Sequence, residues 1–392
     1  VNKNILNTEV QSFISKNLNT DIAKLIFKGS PFTNISIQEL ATQIESKKKA
    51  QHKLPTWFKT ENIYYPNKLN IEQTSSEITA QYKANLIKGN SLIDLTGGFG
   101  VDICAFANVF KQVVHCEINQ KLSEIAKHNF ETFGIKNINI ITADGITYLN
   151  ETQQQFDWIY IDPSRRNDVK GKVFLLEDCE PNVPKDLDTL FKNSSQIMLK
   201  VSPMLDITSA ISELNFVKEV HVIAIKNEVK ELLFLLEKDY KNEIEIKTIN
   251  IKNNSVERFN AIKYKNNGNA KLAPPLNYVY EPNSAILKAG LFNEVSHQLN
   301  IDKLNINSHL YTTKELIEFP GRCFKIKNII PYNLKLLKKD LNLKQANITT
   351  RNFPETVAQI RKKTKLKEGG NHYLFFTKNH KDQLIVLISL KV

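Results

Sequence analysis

The stretch Leu95-Thr96-Gly97-Gly98-Phe99-Gly100 ends one apolar run and opens a helical one. A glycine turn between strand and helix lets backbone N–H groups come close to a ligand, although such turns also serve plain structure. Asp94, directly before it, offers a negative partner for an ammonium group, whereas a pyrophosphate favours an anion-binding turn without a neighbouring carboxylate. Ile103 stands where a dinucleotide fingerprint has its third glycine. Glu117 closes the next apolar run and suits both hydroxyls of a ribose. Asp144-Gly145 closes the third, where a carboxylate can accept from an adenine amino group. A single acid of this kind is more often a surface residue. Acids at the carboxyl ends of three successive strands are harder to assign to the surface, and together they suit an adenosyl ligand that carries an ammonium.

Asp162-Pro163-Ser164-Arg165-Arg166 follows a fourth apolar run and falls on the side where a second reactant would lie. An aspartate and a carbonyl flanking a proline can orient an amino group for in-line displacement and accept its proton. Arg165 and Arg166 either hold a phosphate bidentately or pair with Glu177 or Asp178. Cys179 is a poor nucleophile, because Asp178 and Glu180 beside it disfavour the thiolate. Ser75, Thr79 and Lys83 lie four apart and share a helix face. They either close over a ligand carboxylate or form an ordinary polar face.

These residues need elements to position them. Residues 1–70 read as helical, with Ile37, Leu40, Ala41 and Ile44 on one face. Trp57, Phe58, Tyr64 and Tyr65 beyond that helix are expected to fill a domain contact more often than to stack on bases. From residue 75 strands and helices alternate: strands at 91–95, 112–117, 138–142, 158–161 and 196–201, with helices at 76–86, 101–108 and 120–133. Such alternation predicts a parallel sheet covered on both faces. Glu219–Ile225 and Glu231–Glu237 are expected to pair antiparallel at its edge. Strands near 244–251 and 259–264 follow, then a turn-rich link at 268–275. A helix at 284–299 and a strand at 304–308 lead to a last segment read as strand, helix, strand, helix and hairpin.

At 392 residues the chain is expected to hold more than one core. Its 41% hydrophobic and 24% charged residues are ordinary for a folded globular protein. No apolar run is long enough to cross a bilayer, and the first twenty residues resemble no export signal. Four scattered cysteines make neither a metal knuckle nor a disulfide framework. A cytoplasmic protein without metal or membrane partner is expected. The net charge of +12 is uneven: residues 301–392 hold 18 Lys and Arg against 7 Asp and Glu, whereas residues 85–240 hold 16 against 22. A basic tail on an acidic core suits phosphate neutralisation on RNA. The same lysines also suit a solvated surface.

The order Asp94 to Gly100, Glu117, Asp144-Gly145 and Asp162-Pro163 resembles motifs I to IV of class I S-adenosyl-L-methionine-dependent methyltransferases. More narrowly, Ser75-Ser76-Glu77-x-Thr79-Ala80-x-Tyr82-Lys83, Asp162 to Arg166, Leu199-Lys200-x-Ser202-Pro203-Met204-Leu205-Asp206, Glu281-Pro282-Asn283, Phe319-Pro320-Gly321-Arg322 and Arg351-Asn352-Phe353-Pro354 resemble a bacterial family of methyltransferases with a THUMP-like domain. The resemblance covers the chain from about residue 50 onward. It implies an α/β fold: a helical region (1–70), a Rossmann-like methyltransferase domain (71–240), a ferredoxin-like α+β module (241–315) and a basic THUMP-like domain (316–392) of a type associated with RNA modification. The expected cofactor residues are Asp94, Thr96, Gly97, Gly98, Phe99, Gly100, Glu117, Asp144 and Gly145. The expected acceptor side is Asp162, Pro163, Ser164 and Arg165. Amino-directed relatives continue Asp-Pro with proline and an aromatic residue, but this chain has Ser164 and Arg165, which leaves the acceptor base open. A silent RNA-binding protein and a methyltransferase of a small molecule or protein are the alternatives.

Overall fold

The computed structural model describes residues 1–165, 175–263, 268–333 and 343–392. The chain divides into two compact units, Val1–Lys218 with Leu233–Lys241, and Glu219–Leu232 with Asn242–Val392.

The first unit begins with short helices: α1 (Thr8–Lys16), α2 (Ile22–Lys28), α3 (Ile37–Lys53), α4 (Pro55–Lys59) and α5 (Lys68–Gln73). Ser36 and Glu39 form a capping box that starts α3. Its face of Ile37, Leu40, Ala41 and Ile44 is buried as the periodicity requires. Next come α6 (Glu77–Leu86), β1 (Ser91–Asp94), α7 (Val101–Ala107), β2 (Gln112–Cys116), α8 (Gln120–Thr132), β3 (Ile138–Ile141), α9 (Gly145–Glu151) and β4 (Trp158–Ile161). A two-stranded antiparallel pair, β5 (Ser164–Arg165) and β6 (Cys179–Glu180), precedes α10 (Val183–Asn193), β7 (Gln196–Val201) and α11 (Ile207–Glu213).

Five of these strands run parallel in the order β7-β4-β1-β2-β3. From β1 the chain moves outward through β2 and β3, then returns to the other side of β1 for β4 and β7. An open α/β sheet forms its crevice at that reversal, beyond the carboxyl ends of β1 and β4.

The chain crosses between the units within β8 (Val217–Ile225) and β9 (Glu228–Glu237). Lys226 and Asn227 both take positive φ, at 51° and 65°, as a tight two-residue hairpin requires. In the second unit β10 (Glu245–Ile251) pairs parallel with β8, and β11 (Val256–Ile262) pairs antiparallel with β10. The hairpin therefore does not lie at the edge expected for it. Ile246, Ile249 and Phe259 are buried, so residues 245–262 extend the pairing instead of ending it.

A seven-stranded sheet completes this unit: β12 (Tyr278–Pro282), β13 (Asp302–Lys303), β14 (Tyr311–Thr313), β15 (Gly321–Pro331), β16 (Asn347–Thr350), β17 (His372–Lys378) and β18 (Leu384–Lys391), ordered β13-β14-β12-β15-β18-β17-β16. Successive residues of β17 feed opposite faces: Leu374 and Phe376 join a cluster with Ile330, Ile360 and Val386, while Phe375 joins Val279, Phe324 and Leu387. The helix expected over 284–299 is two helices, α12 (Ser284–Ala289) and α13 (Phe292–Leu299), parted at Gly290 with φ of 69°. The strand expected at 304–308 is a turn, because the Asn305 side chain accepts from the Asn307 N–H (3.0 Å) and bends the backbone. The first helix expected in the last segment, like Tyr264 and Arg166, lies outside the described residues.

Candidate active site

The glycine turn hangs from β1 and is tied on both sides. The Leu95 N–H donates to the Tyr160 carbonyl (3.1 Å) and the Gly97 N–H to the Cys116 carbonyl (2.7 Å). A Cβ at Gly97 would lie 2.2 Å from the His115 ring, so no larger residue fits over that imidazole. Gly100 takes φ of +90°, and its Cβ would lie 2.5 Å from the Phe130 ring. Gly98 differs: a Cβ there would meet only the Thr96 carbonyl, at 3.7 Å, so the turn is packed beneath and open above. Phe99 is buried, its ring centroid 4.5 Å from that of Trp57 and 6.4 Å from that of Tyr65. Trp57 and Tyr65 thus fill an internal contact that backs the turn, and Tyr64 is buried beside them in sequence.

Asp94 is 2% exposed. One of its oxygens accepts from the Thr96 N–H (2.9 Å) and hydroxyl (3.2 Å). The same hydroxyl accepts from the Asp162 N–H (2.7 Å), which joins the ends of β1 and β4 directly. Burial pushes the Asp94 carboxyl well above the usual carboxylate range, with the fields of Asp102 and Asp162 adding and the Thr96 hydrogen bonds opposing. No cation pairs with Asp94 among the described residues, so a ligand ammonium suits it.

Glu117 accepts from the Gly98 N–H (2.8 Å) with one oxygen and from the Asn119 N–H (2.7 Å) with the other, fastening the end of β2 to the turn. Asp144 caps α9, accepting from the N–H and hydroxyl of Thr147 (both 2.8 Å). Gly145 lies against Leu95, whose carbonyl oxygen would be 2.6 Å from an added Cβ. Burial raises the Cys116 thiol, and the fields of Asp94 and Asp144 raise it further, so both carboxylates act on the end of β2. Asp94, Thr96, Gly98, Glu117, Gly145 and Asp162 therefore meet around one turn. The Asp144 carboxylate stands at the rim, and the Phe99 ring turns inward.

Asp162 also touches the Lys200 ammonium through its second oxygen. Pro163 is buried, Ser164 exposed and Arg165 half-buried in the short β5 and β6 pair. Cys179 is buried, its thiol pointing at the Leu175 carbonyl (3.8 Å).

Lys200 carries no role in the motif reading above, although a lysine inside the apolar run Gln196–Val201 is a signal in itself. Ser75 and Lys83 take neither of the two roles expected of them, because they meet a carboxylate of the protein itself, Asp102. Lys83 is fully buried, 3.0 Å from one oxygen of Asp102. The Ser75 and Tyr160 hydroxyls donate to the other oxygen, each at 2.7 Å, and the Lys83 ammonium also donates to the Ser75 hydroxyl (2.9 Å). Burial alone would raise the Asp102 carboxyl, but Lys83, Lys200, Tyr160 and Ser75 hold it below the usual range. The Ser75 and Lys83 pair thus braces Asp102 beneath the site. Among the described residues no group of three or more His, Cys, Asp or Glu could hold a metal, and no helix is long and apolar enough to cross a membrane.

Comparison with known proteins adds three family matches: residues 89–272 to a family described as RNA cap guanine-N2 methyltransferase, 278–320 to a ferredoxin-like domain and 321–389 to a THUMP domain-like family. A crystal structure from Porphyromonas gingivalis W83, assigned as a methyltransferase, is 32% identical and superposes with a TM-score of 0.90, covering 100% of this chain and 98% of that one. An uncharacterized RNA methyltransferase of Mycoplasma mobile is 31% identical over 150 residues, 37% of this chain and 41% of that protein. An uncharacterized S-adenosylmethionine-dependent methyltransferase of Mycobacterium tuberculosis is 23% identical over 161 residues, 41% of this chain and 42% of that protein. The matches to these two relatives span less than half of their length.

Proposed function

Because this chain belongs to the class I S-adenosylmethionine-dependent methyltransferases that carry a THUMP-like domain, we propose that it methylates RNA, with an amino group of a base as the acceptor beside Asp162 and Pro163. The observation that carries this reading is the double hold on Asp162, by the Thr96 hydroxyl on its backbone and by Lys200 on its carboxylate. S-adenosylmethionine supplies a methyl group already activated on a sulfonium, so the protein has to position the acceptor and take up one proton. Asp162 has one carboxylate oxygen engaged by Lys200, which leaves the other to accept a hydrogen of the acceptor.

Asp94 would face the cofactor's ammonium, Glu117 its ribose and Asp144 its adenine, with Thr96, Gly97, Gly98, Gly100 and Gly145 forming the cradle and Phe99 contributing backbone. Ser164 and Arg165 flank the acceptor. The RNA assignment draws support from the family match over 89–272, the THUMP-like match over 321–389 and the excess of basic residues in 301–392. A cytoplasmic site of action accords with four free cysteines.

Transfer of labelled methyl from S-adenosylmethionine to total RNA, followed by nucleoside mass spectrometry, is expected to reveal one methylated nucleoside that Asp162→Ala abolishes. Calorimetric titration with the cofactor should give no heat after Asp94→Ala combined with Glu117→Ala. Heat that persists in that double variant removes the cofactor assignment. Cofactor binding without RNA labelling moves the acceptor to a protein or a small molecule.

A further inference from the structure

Three motifs that the methyl-transfer reading leaves unused come together in the second unit. Glu281 lies on β12, directly across from Arg322 on β15, and Arg351 follows β16. The Glu281 carboxylate is 4% exposed and holds both arginines. Arg322 donates Nε (2.7 Å) and Nη2 to one oxygen, and Arg351 donates Nη2 (2.5 Å) to the other. Arg351 Nη1 donates to the Thr350 carbonyl (3.0 Å). Gly321 permits this approach, since a Cβ there would lie 2.2 Å from the Glu281 carbonyl oxygen.

The exposure is lopsided. The carboxylate is sealed, whereas the two arginine side chains remain 39% and 35% exposed. Arg322 Nη1 and Arg351 Nε have no hydrogen-bond partner among the described residues, and the Arg322 guanidinium lies over the Phe324 ring, 5.5 Å from its centroid. An ion triad that served packing alone would bury its cations with its anion, because charges left at the surface add little stability. Here one anion orients two cations and leaves an excess of positive charge facing solvent. His309 reports the same field: burial, then Lys303 and Arg351, push its imidazole down to about 4, and its buried Nδ1 has no hydrogen-bond partner. Its ring stacks on Phe292, with centroids 3.5 Å apart. The nearby acid Glu257 is already paired with Lys252.

Guanidinium forks match the oxygen spacing of phosphate and are held rigid here before any ligand arrives. We propose that Arg322 and Arg351, clamped on Glu281, form a phosphate-binding site through which the second unit holds the RNA backbone. This deepens the RNA reading above and rests on it.

The test uses the full chain and two probes, a labelled single-stranded RNA followed by anisotropy and pyrophosphate followed by calorimetry. Arg322→Gln and Arg351→Gln are each expected to weaken RNA binding about tenfold and to lower the slope of log affinity against log salt by about one. Pyrophosphate heat should fall in parallel, while the S-adenosylmethionine titration stays as in the wild type. Where a glutamine variant does not fold, Arg322→Lys and Arg351→Lys keep the charge on Glu281 but lose the fork, and a severalfold loss of both probes is still expected. Folded variants that bind both probes like the wild type overturn the site and leave the triad a structural tie. A wild type that binds neither probe overturns it too. Pyrophosphate binding that depends on the arginines, with no RNA bound, keeps the site and overturns the RNA reading instead.

Discussion

Asp162 is gripped from two directions, and the hold on its carboxylate predicts a defect separable from cofactor binding. Lys200→Met removes the hold on the carboxylate without touching the glycine turn. Single-turnover methylation is expected to slow on the order of a hundredfold, with cofactor affinity unchanged, as for a catalytic group left free to wander by about 1 Å. A rate equal to that of the wild type would deprive Lys200 of its positioning role. Asp94 carries a pH signature. Its carboxyl is raised in the folded protein by burial, so the stability tied to its neutral form is present below the ordinary carboxylate value and is lost as pH climbs through the raised one. An ammonium partner favours the ionised form, so cofactor binding should release a proton and tighten as pH rises through that range. Calorimetry in buffers of different ionisation heat checks the release, and Asp94→Asn should flatten the profile. An affinity independent of pH in the wild type would separate Asp94 from the ammonium.

The glycine turn works as an element because its underside is filled. His115 is fully buried beneath Gly97, its imidazole pushed down to about 3 by burial, so it is a neutral packing ring. Gly97→Ala drives a methyl group into that ring and is expected to cost about 1–3 kcal/mol of stability along with most cofactor affinity. His115→Ala in the same chain vacates the space and should recover part of both, a coupling that thermal unfolding and titration can measure. Additive effects would mean that the turn fails for another reason. How the turn is braced was half legible. Its place between β1 and α7 follows from periodicity, and the aromatic residues after α3 were expected inside. That Phe99 is among the residues they pack on, and that His115 excludes any side chain at Gly97, depend on elements far apart in the chain.

The second unit constrains how the whole molecule can be dissected. Residues matched to the ferredoxin-like and THUMP-like families share one seven-stranded sheet, with β12 hydrogen-bonded to β15. A chain ending at residue 320 loses the partners of Val279 and Leu304 in the shared cluster. It is expected to become protease-sensitive across 278–320, and survival of that segment would show that it folds alone. Charge substitutions are therefore the sounder probe of RNA binding. In the full chain RNA affinity should fall steeply with salt, as phosphate neutralisation demands, and a flat dependence would count against an RNA backbone contact. In the first unit the alternation of strands and helices, the crevice side of the sheet and the acids at its strand ends were readable from residue types alone, because hydrophobic periodicity and the strand-end rule are local properties of a chain. The partners of the buried acids were not. Lys200 on Asp162, Lys83 on Asp102, and Arg322 with Arg351 on Glu281 join residues 19 to 70 positions apart. Which cation reaches which buried carboxylate depends on strand order and helix packing, and only the folded chain brings those groups within hydrogen-bonding distance.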